Sequence, residues 1–108
     1  MKKIYIAGKV TGLCPEVTAA KFATAEAEVK AAGFEAINPL KVVGTWDISW
    51  TDAMRLCIAA LTKADAVYLL PDHLESDGVE KEKQVADWLG MIYTQDLSSL
   101  KFIYNTNN

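Results

Sequence analysis

The residues KIYIA (Lys3–Ala7), with Gly8 directly after them, form a short apolar run that contains β-branched side chains. Apolar and polar residues do not alternate in this run, so it is not typical of a strand with one face in water. Uninterrupted apolar strands of this kind occur in parallel sheets that helices cover on both faces. We therefore predict that the run is the first strand of an α/β domain.

Three stretches of the chain carry the signals of helices. Pro15 suits the first turn of a helix and Gly33 suits its end, and apolar residues recur between them on one face. Ser49, followed by Asp52, forms a candidate capping box that opens a second helix. A third helix is predicted to follow Gly78.

Four further apolar runs predict strands at Phe34–Ile37, Asp65–Pro71, Met91–Thr94 and Leu100–Tyr104. From Leu40 to Ile48 we predict only a loop. Because strands and helices alternate, the sheet is expected to be parallel, with right-handed crossovers and helices on both sides. Ligands of such sheets bind beyond the carboxyl ends of the strands, so a site is expected there.

The composition restricts the size of the protein and the partners it can have. The chain has 108 residues, 51% of them hydrophobic, which predicts a single domain over residues 1–108. Its net charge of -3 and its pI near 5.0 argue against a nucleic-acid or membrane partner, because both are anionic. We expect a cytoplasmic protein, since no run approaches about 18 apolar residues and no signal-peptide core follows the first lysines.

The cysteine and histidine content does not favour a metal centre. Cys14 and Cys57 lie far apart without a CxxC motif, and His73 is the only histidine in the sequence. This spacing suits neither a zinc site nor a disulfide framework. We expect two free thiols, no metal and no cofactor.

Polar residues and glycines gather in the loops that follow the first three predicted strands. The candidate binding residues, in chain order, are Gly8, Lys9, Thr11, Asn38, Asp72, His73, Ser76 and Gly78. Gly8, Gly78 and also Gly12 would let backbone N–H groups approach an anion, although glycines after strands are often ordinary turn residues. Ser76 is either a phosphate ligand or a loop hydroxyl, and Lys9 is either an anion contact or a solvated cation. His73 is most simply explained as a solvated loop residue.

Glu82 lies on the apolar face of the last long helix, four and seven residues before Ala86 and Leu89. With Asp77 as the N-cap of that helix, Glu80 falls at the N3 position of a capping pattern, which leaves Glu82 without a capping role. An acid on an inward face is costly unless it is paired or functional. Glu82 is therefore either a complement to the helix dipole or a site residue.

Three segments of the chain carry a resemblance to known proteins. KIYIAGKVTGL, AEAEVKAAGFEAINP and MRLCIAALTKADAVYLLPDHLESDGVEKEKQVADWLG resemble small phage and bacterial proteins of uncharacterised function that are similar to nucleoside 2-deoxyribosyltransferases. The related 2'-deoxynucleoside 5'-monophosphate N-glycosidases share the order Y-x-x-G at the first strand, then S-x-G-x-x-x-E-x-x-x-A at the last helix. The resemblance runs from about Lys3 to Thr94. It implies a flavodoxin-like three-layer sandwich with the strand order 2-1-3-4-5.

The resemblance also implies catalytic roles. Glu82 matches the nucleophile that attacks the anomeric carbon of a deoxyribosyl group, and the helix N-terminus would help to keep it ionised. Tyr5 matches a tyrosine that orients this carboxylate; by its position in a strand alone, it is either a core residue with a bonded hydroxyl or a site residue. Cys57 stands where the enzymes carry an aspartate that helps to protonate the leaving base.

The binding residues follow from the same resemblance. Ser76 and Gly78 match the loop that holds the 5' side of the sugar. This loop binds a phosphate in the monophosphate hydrolases, whereas the transferases have an acid in place of the serine. Lys9 and Thr11 fall where the hydrolases have a serine and an arginine near the phosphate. The implied activity is cleavage or transfer of the N-glycosidic bond of a deoxynucleoside or its 5'-monophosphate. The alternatives are a nucleotide-binding module without turnover and a structural domain. We also expect a homodimer or a larger homo-oligomer, because relatives complete their crevice with a neighbouring subunit.

Overall fold

The computed structural model describes residues 1–104, in which strands and helices alternate along the chain. The strands are β1 (Lys3–Ala7), β2 (Glu35–Ile37), β3 (Ala66–Leu69) and β4 (Ile92–Thr94). The helices are α1 (Pro15–Ala31), α2 (Pro39–Val43), α3 (Trp50–Leu61), α4 (Asp77–Trp88) and α5 (Leu97–Ile103), with a 3-10 turn at His73–Glu75. The first four predicted strands and the three predicted helices are confirmed. No helix in this part of the chain is long and apolar enough to cross a membrane.

The four strands form one parallel sheet in the order β2-β1-β3-β4. Tyr5, in the centre of β1, is in register with Ile37 of β2 and with Val67 of β3, and Val67 is in turn in register with Tyr93 of β4. The predicted α/β class and the parallel sheet are therefore confirmed. All four strands direct their carboxyl ends toward the same edge of the sheet.

The buried residues form two apolar clusters, and the alternation of side chains along β1 separates them. Ile4 and Ile6 belong to a cluster with residues of α1 and α5. Tyr5 and Ala7 belong to a second cluster with residues of α3 and α4. Tyr5 consequently faces α4, the helix that carries Glu82.

The predicted fifth strand at Leu100–Tyr104 is wrong, because these residues lie in and directly after α5. Asp96 caps this helix by accepting a hydrogen bond from the backbone N–H of Ser98 at 3.0 Å. Leu97, Leu100 and Tyr104 then pack on the α1 side of the sheet. Their spacing of three and four residues is helical, whereas a strand would place every second residue on one face.

The loop predicted from Leu40 to Ile48 is wrong over its first residues, which form the short helix α2. Its N-cap is Asn38, whose side chain accepts a hydrogen bond from the N–H of Leu40 at 3.0 Å. Pro39 occupies the first helical position, and Gly44 ends the helix with a φ of 77°. These signals are those of a helix, but the segment is too short to show an apolar stripe.

The start of α4 also differs from the prediction. Ser76, not Asp77, is the N-cap, and its hydroxyl accepts a hydrogen bond from the N–H of Val79 at 3.2 Å. Glu80 consequently lies one position beyond N3 and is exposed, so the proposed capping pattern of Asp77 and Glu80 is absent. Glu82 is nevertheless buried on the inward face, as its spacing predicts.

Candidate functional site

The side chains of Tyr5 and Glu82 form a buried polar pair between β1 and α4. Tyr5 is 0% exposed and Glu82 is 6% exposed. The hydroxyl of Tyr5 donates a hydrogen bond to Oε2 of Glu82. The pair forms because alternation along β1 directs Tyr5 toward α4, while helical spacing places Glu82 beside Val79 and Ala86 on the buried face.

At neutral pH the carboxyl group of Glu82 is close to its pKa, so its protonated and ionised forms coexist. Burial raises the pKa of Glu82 from 4.5 to about 7, although the hydrogen bond from Tyr5 acts in the opposite direction. Within residues 1–104, none of the ion pairs involves Glu82. Glu82 is the sixth residue of α4, beyond the first turn where the helix N-terminus acts strongly. The expected ionisation of Glu82 by the helix N-terminus is therefore outweighed by burial.

Cys57, on α3, adds a third ionisable side chain to this pair. Burial raises the pKa of the Cys57 thiol, the charge of Glu82 raises it further, and a hydrogen bond with Tyr5 lowers it. Burial and the neighbouring Glu82 likewise hold the pKa of Tyr5 well above its ordinary value. The thiol and the phenol are consequently neutral at physiological pH, and only Glu82 changes its charge there.

A cavity of about 700 Å³ opens above this group of side chains. Seven of the ten predicted site residues line it, namely Tyr5, Gly8, Thr11, Asn38, Ser76, Gly78 and Glu82. Gly8 follows β1 and Asn38 follows β2, so the cavity lies at the carboxyl ends of the strands. Its volume is that of a site for a small organic molecule.

Two of the three glycines predicted to bind an anion, Gly8 and Gly78, have packing partners in the cavity wall, whereas Gly12 does not line the cavity. A Cβ atom on Gly8 would lie 2.7 Å from Cδ1 of Leu70, and one on Gly78 would lie 3.2 Å from Sδ of Met54. Close packing against Leu70 therefore explains why a glycine occupies position 8, and no ligand is needed to explain it. Gly78 has more room and lies in the first turn of α4, next to the capping hydroxyl of Ser76.

Lys9 and Asp72, which were also predicted as binding residues, do not line the cavity. Asp72 accepts hydrogen bonds from the backbone N–H of Lys9 at 3.0 Å and from Nζ of Lys21 at 2.6 Å. The same ammonium group donates to the carbonyl oxygen of Lys9 at 2.6 Å. These bonds tie the loop after β1 to the loop after β3 and so hold the wall that contains Gly8.

The prediction that His73 is a solvated loop residue is wrong. His73 is 7% exposed and lies outside the cavity lining. Its Nε2 lies 3.0 Å from Nε2 of Gln95, and its Nδ1 has no partner among the described residues. Burial, and then the nearby Lys83, lower the pKa of His73. The 3-10 turn at His73–Glu75 causes this burial, because it folds His73 inward and leaves Leu74 exposed.

The wall between Asn38 and Cys57 is the largest part of the cavity that lacks predicted binding residues. Its lining includes Lys41, Thr45, Trp46, Ser49, Trp50 and Met54. This segment follows the carboxyl end of β2, so the rule that located the other loops also applies to it.

Nowhere in residues 1–104 are three or more His, Cys, Asp or Glu side chains grouped to hold a metal ion.

The chain is thus an α/β protein with a parallel sheet, a ligand-sized cavity at the carboxyl ends of its strands and a buried tyrosine–glutamate pair inside that cavity. Residues 2–94 match the family described as Domain of unknown function (DUF4406), and the chain belongs to that family. The matched residues include both members of the pair and the described cavity lining. No curated protein matches the chain.

Proposed function

We propose that the cavity binds a deoxynucleoside or its 5'-monophosphate and that Glu82 breaks the N-glycosidic bond as a nucleophile. The observation that carries this proposal is the buried Tyr5–Glu82 pair, which lines a cavity large enough for such a ligand. A buried acid without a cationic partner is costly, and such groups cluster at functional sites. The resemblance of the Tyr5 and Glu82 motifs to those of nucleoside 2-deoxyribosyltransferases supports the same reaction.

The reaction begins with the ionised form of Glu82. Its carboxylate oxygen attacks the anomeric carbon, the C–N bond breaks, and the base leaves with the electron pair and takes a proton from a water molecule. In hydrolysis, a second water molecule attacks the same carbon, the ester electron pair returns to Glu82, and the released proton neutralises the hydroxide. In transfer, another base replaces this water. The carboxylate stabilises the oxocarbenium-like transition state of each step.

Tyr5 has an orienting role in this proposal. Its hydroxyl donates to Oε2 of Glu82, which fixes the carboxyl plane and leaves Oε1 for the sugar. Ser76 and Gly78, at the start of α4, are assigned to the 5' side of the sugar, and the side chains of Trp46 and Trp50 to the base. Aromatic side chains at the cavity mouth suit stacking on a flat heterocycle.

A nucleotide-binding module without turnover is the second candidate, and Cys57 is the observation that favours it. Its thiol has a raised pKa and lies beside Tyr5 and Glu82, where the resembling enzymes carry a carboxylate. A neutral thiol is a poor proton donor, and general acid catalysis contributes roughly 10² to 10⁴ in rate. Binding without cleavage would leave the fold and the cavity unchanged.

The first experiment tests the nucleophile. The protein is incubated with the common deoxynucleosides and their 5'-monophosphates, and free base is measured by chromatography. Glu82→Gln keeps the size of the side chain but removes the attacking charge, so it is expected to abolish base release and to preserve ligand binding. Glu80→Gln is the matched control, because Glu80 is an exposed acid on the same helix, and its base release is expected to equal that of the wild type.

A second variant separates the enzyme from the binding module. Cys57→Asp restores a carboxyl group beside Tyr5 and Glu82, and it is expected to accelerate base release if proton donation limits the wild type. Cys57→Ala is the control for loss of the thiol. If ligands bind but neither the wild type nor Cys57→Asp releases base, the enzyme hypothesis fails and the binding module replaces it. If no member of the panel binds, both fail.

The proposal extends to the layering of the fold. A flavodoxin-like three-layer sandwich would place α1 and α5 on one face of the sheet and α3 and α4 on the other. The two apolar clusters support this arrangement, because one contains residues of α1 and α5 and the other contains residues of α3 and α4. A ligand at the carboxyl ends of β1 and β3 would then lie where such folds bind their ligands.

A further inference from the structure

Charged side chains are scarce around the cavity. Of the described residues that line it, Lys41 is the sole cation and Glu82 the sole acid. Most of the remaining lining is apolar or uncharged. These two are therefore the charged side chains that an anionic group on a ligand would meet in the described lining.

The other lysines near the site do not contribute a free charge to the cavity. Lys9 does not line it. The ammonium group of Lys21 lies 2.6 Å from Oδ2 of Asp72 and also donates to the carbonyl oxygen of Lys9. A phosphate group in the cavity would have to rely on Lys41 or on uncharged donors.

The ammonium group of Lys41 is already paired with Glu26 of α1, which it shares with Lys30. Its Nζ lies 2.8 Å from Oε2 of Glu26, and Nζ of Lys30 lies 3.0 Å from the same oxygen. The other carboxylate oxygen of Glu26 accepts a hydrogen bond from Nδ2 of Asn38 at 3.3 Å. The side chain of Glu26 is only 12% exposed, whereas that of Lys41 is 70% exposed, so Glu26 is the fixed partner of the two. Lys41, Lys30 and Asn38 together lower the pKa of Glu26 to about 2 and keep it ionised.

We infer that Glu26 sets the charge preference of the cavity: by holding the ammonium group of Lys41 in an ion pair, it makes the site favour an uncharged deoxynucleoside over its 5'-monophosphate. This inference rests on the proposed function and deepens it. A 5'-phosphate carries about -1.5 to -2 charges at pH 7, and it would enter a cavity that already contains the carboxyl group of Glu82. Without an unpaired cation in the described lining, only uncharged donors, such as the Ser76 hydroxyl, compensate for the desolvation of the phosphate. A nucleoside has no such cost.

The test compares the dissociation constants of 2'-deoxynucleosides with those of their 5'-monophosphates by calorimetry at pH 7 and low salt, with chromatography to detect any cleavage. The wild type is expected to bind nucleosides more tightly. Glu26→Gln releases Lys41 and is expected to improve monophosphate binding relative to nucleoside binding about two- to fivefold, the range of an exposed ion pair. Glu26→Gln combined with Lys41→Met is expected to abolish this gain.

The controls separate charge from folding. Glu35→Gln removes one exposed acid that forms no ion pair among the described residues, so the ratio of the two constants is expected to stay at the wild-type value. Lys41→Met alone tests the inference if Glu26→Gln fails to fold: removal of a lysine that Glu26 already holds is expected to change the ratio little, and a marked loss of monophosphate binding overturns the inference. Tighter monophosphate binding by the wild type, or an unchanged ratio in folded Glu26→Gln, overturns the inference while nucleoside binding stands. If no nucleoside binds the wild type, the proposed function fails, and the inference fails with it.

Discussion

Glu82 is buried against a phenol and not against a cation, and this has an energetic consequence at the level of the single residue. The hydrogen bond from Tyr5 stabilises the charged form but does not offset the loss of water, since the pKa of Glu82 is still raised to about 7. The folded protein therefore holds this proton more tightly than the unfolded chain does, where the pKa is near 4.5. An acid with a raised folded-state pKa makes stability fall as pH rises through that range.

We predict that Glu82 contributes a decrease of roughly 2 to 3 kcal/mol to the free energy of unfolding between pH 5 and pH 8, because it must ionise inside the folded protein. Below about pH 4.5 the group is protonated in both states, and above about pH 7 the full cost is present. Glu82→Gln lacks this component, so it is expected to be more stable than the wild type at pH 8 and nearly equal at pH 5. The lowered pKa of His73 acts in the opposite direction, equally in the wild type and in Glu82→Gln, so the contribution of Glu82 is the difference between the two. Urea denaturation at a series of pH values measures the difference. Exposed Glu80→Gln is expected to keep the wild-type pH dependence, and the same dependence in Glu82→Gln would contradict the prediction.

The positions of single residues show what the sequence could and could not predict about the candidate site. Tyr5 and Glu82 lie in regular elements, where the period of a strand or helix determines the direction of a side chain. Lys9, Asp72 and His73 lie in loops, where no period applies and local hydrogen bonds decide. None of these three lines the cavity, whereas Gly8, Thr11 and Asn38, which also lie outside the strands and helices, do.

The secondary-structure elements also differ in how well the sequence predicts them. Long helices with apolar stripes and buried strands were predictable, because each carries a repeated signal over many residues. The short helices α2 and α5 depend on a single cap each, Asn38 and Asp96. In α5 the residues LKFIY are apolar enough for a strand, but Asp96 bonds the N–H of Ser98 and starts a helix before them. Cap chemistry outweighs apolar content in such short segments.

The N-terminus of α4 provides a prediction for one element. Ser76 accepts a hydrogen bond from the N–H of Val79, so Ser76→Ala is expected to lower the free energy of unfolding by about 0.5 to 2 kcal/mol. Chemical denaturation at pH 7 measures this loss. Asp77→Ala is the comparison, because Asp77 is exposed and does not cap the helix; it is expected to cost less than Ser76→Ala. A larger loss of unfolding free energy in Asp77→Ala than in Ser76→Ala would indicate that Asp77, and not Ser76, caps the helix.

At the scale of the whole molecule, the cavity is open on the side of two tryptophans. Trp46 is 53% exposed and Trp50 is 47% exposed, although both line the cavity. Half-exposed aromatic side chains beside a site are typical of protein–protein contacts, in which such residues are enriched. A second copy of the chain that covered them would enclose a ligand that one copy leaves partly in water.

We predict that the protein forms a homodimer, or a larger closed assembly, through the surface that contains Trp46 and Trp50. Light scattering coupled to size exclusion is expected to give at least twice the 11.8 kDa of one chain at tens of micromolar, roughly where a standard interface associates. Replacement of both tryptophans by serine is expected to yield a folded monomer and to weaken nucleoside binding. Trp88→Ser is the control, since Trp88 is 81% exposed but does not line the cavity. A wild-type monomer contradicts the prediction, and a dimer that Trp88→Ser alone disrupts moves the interface to the end of α4.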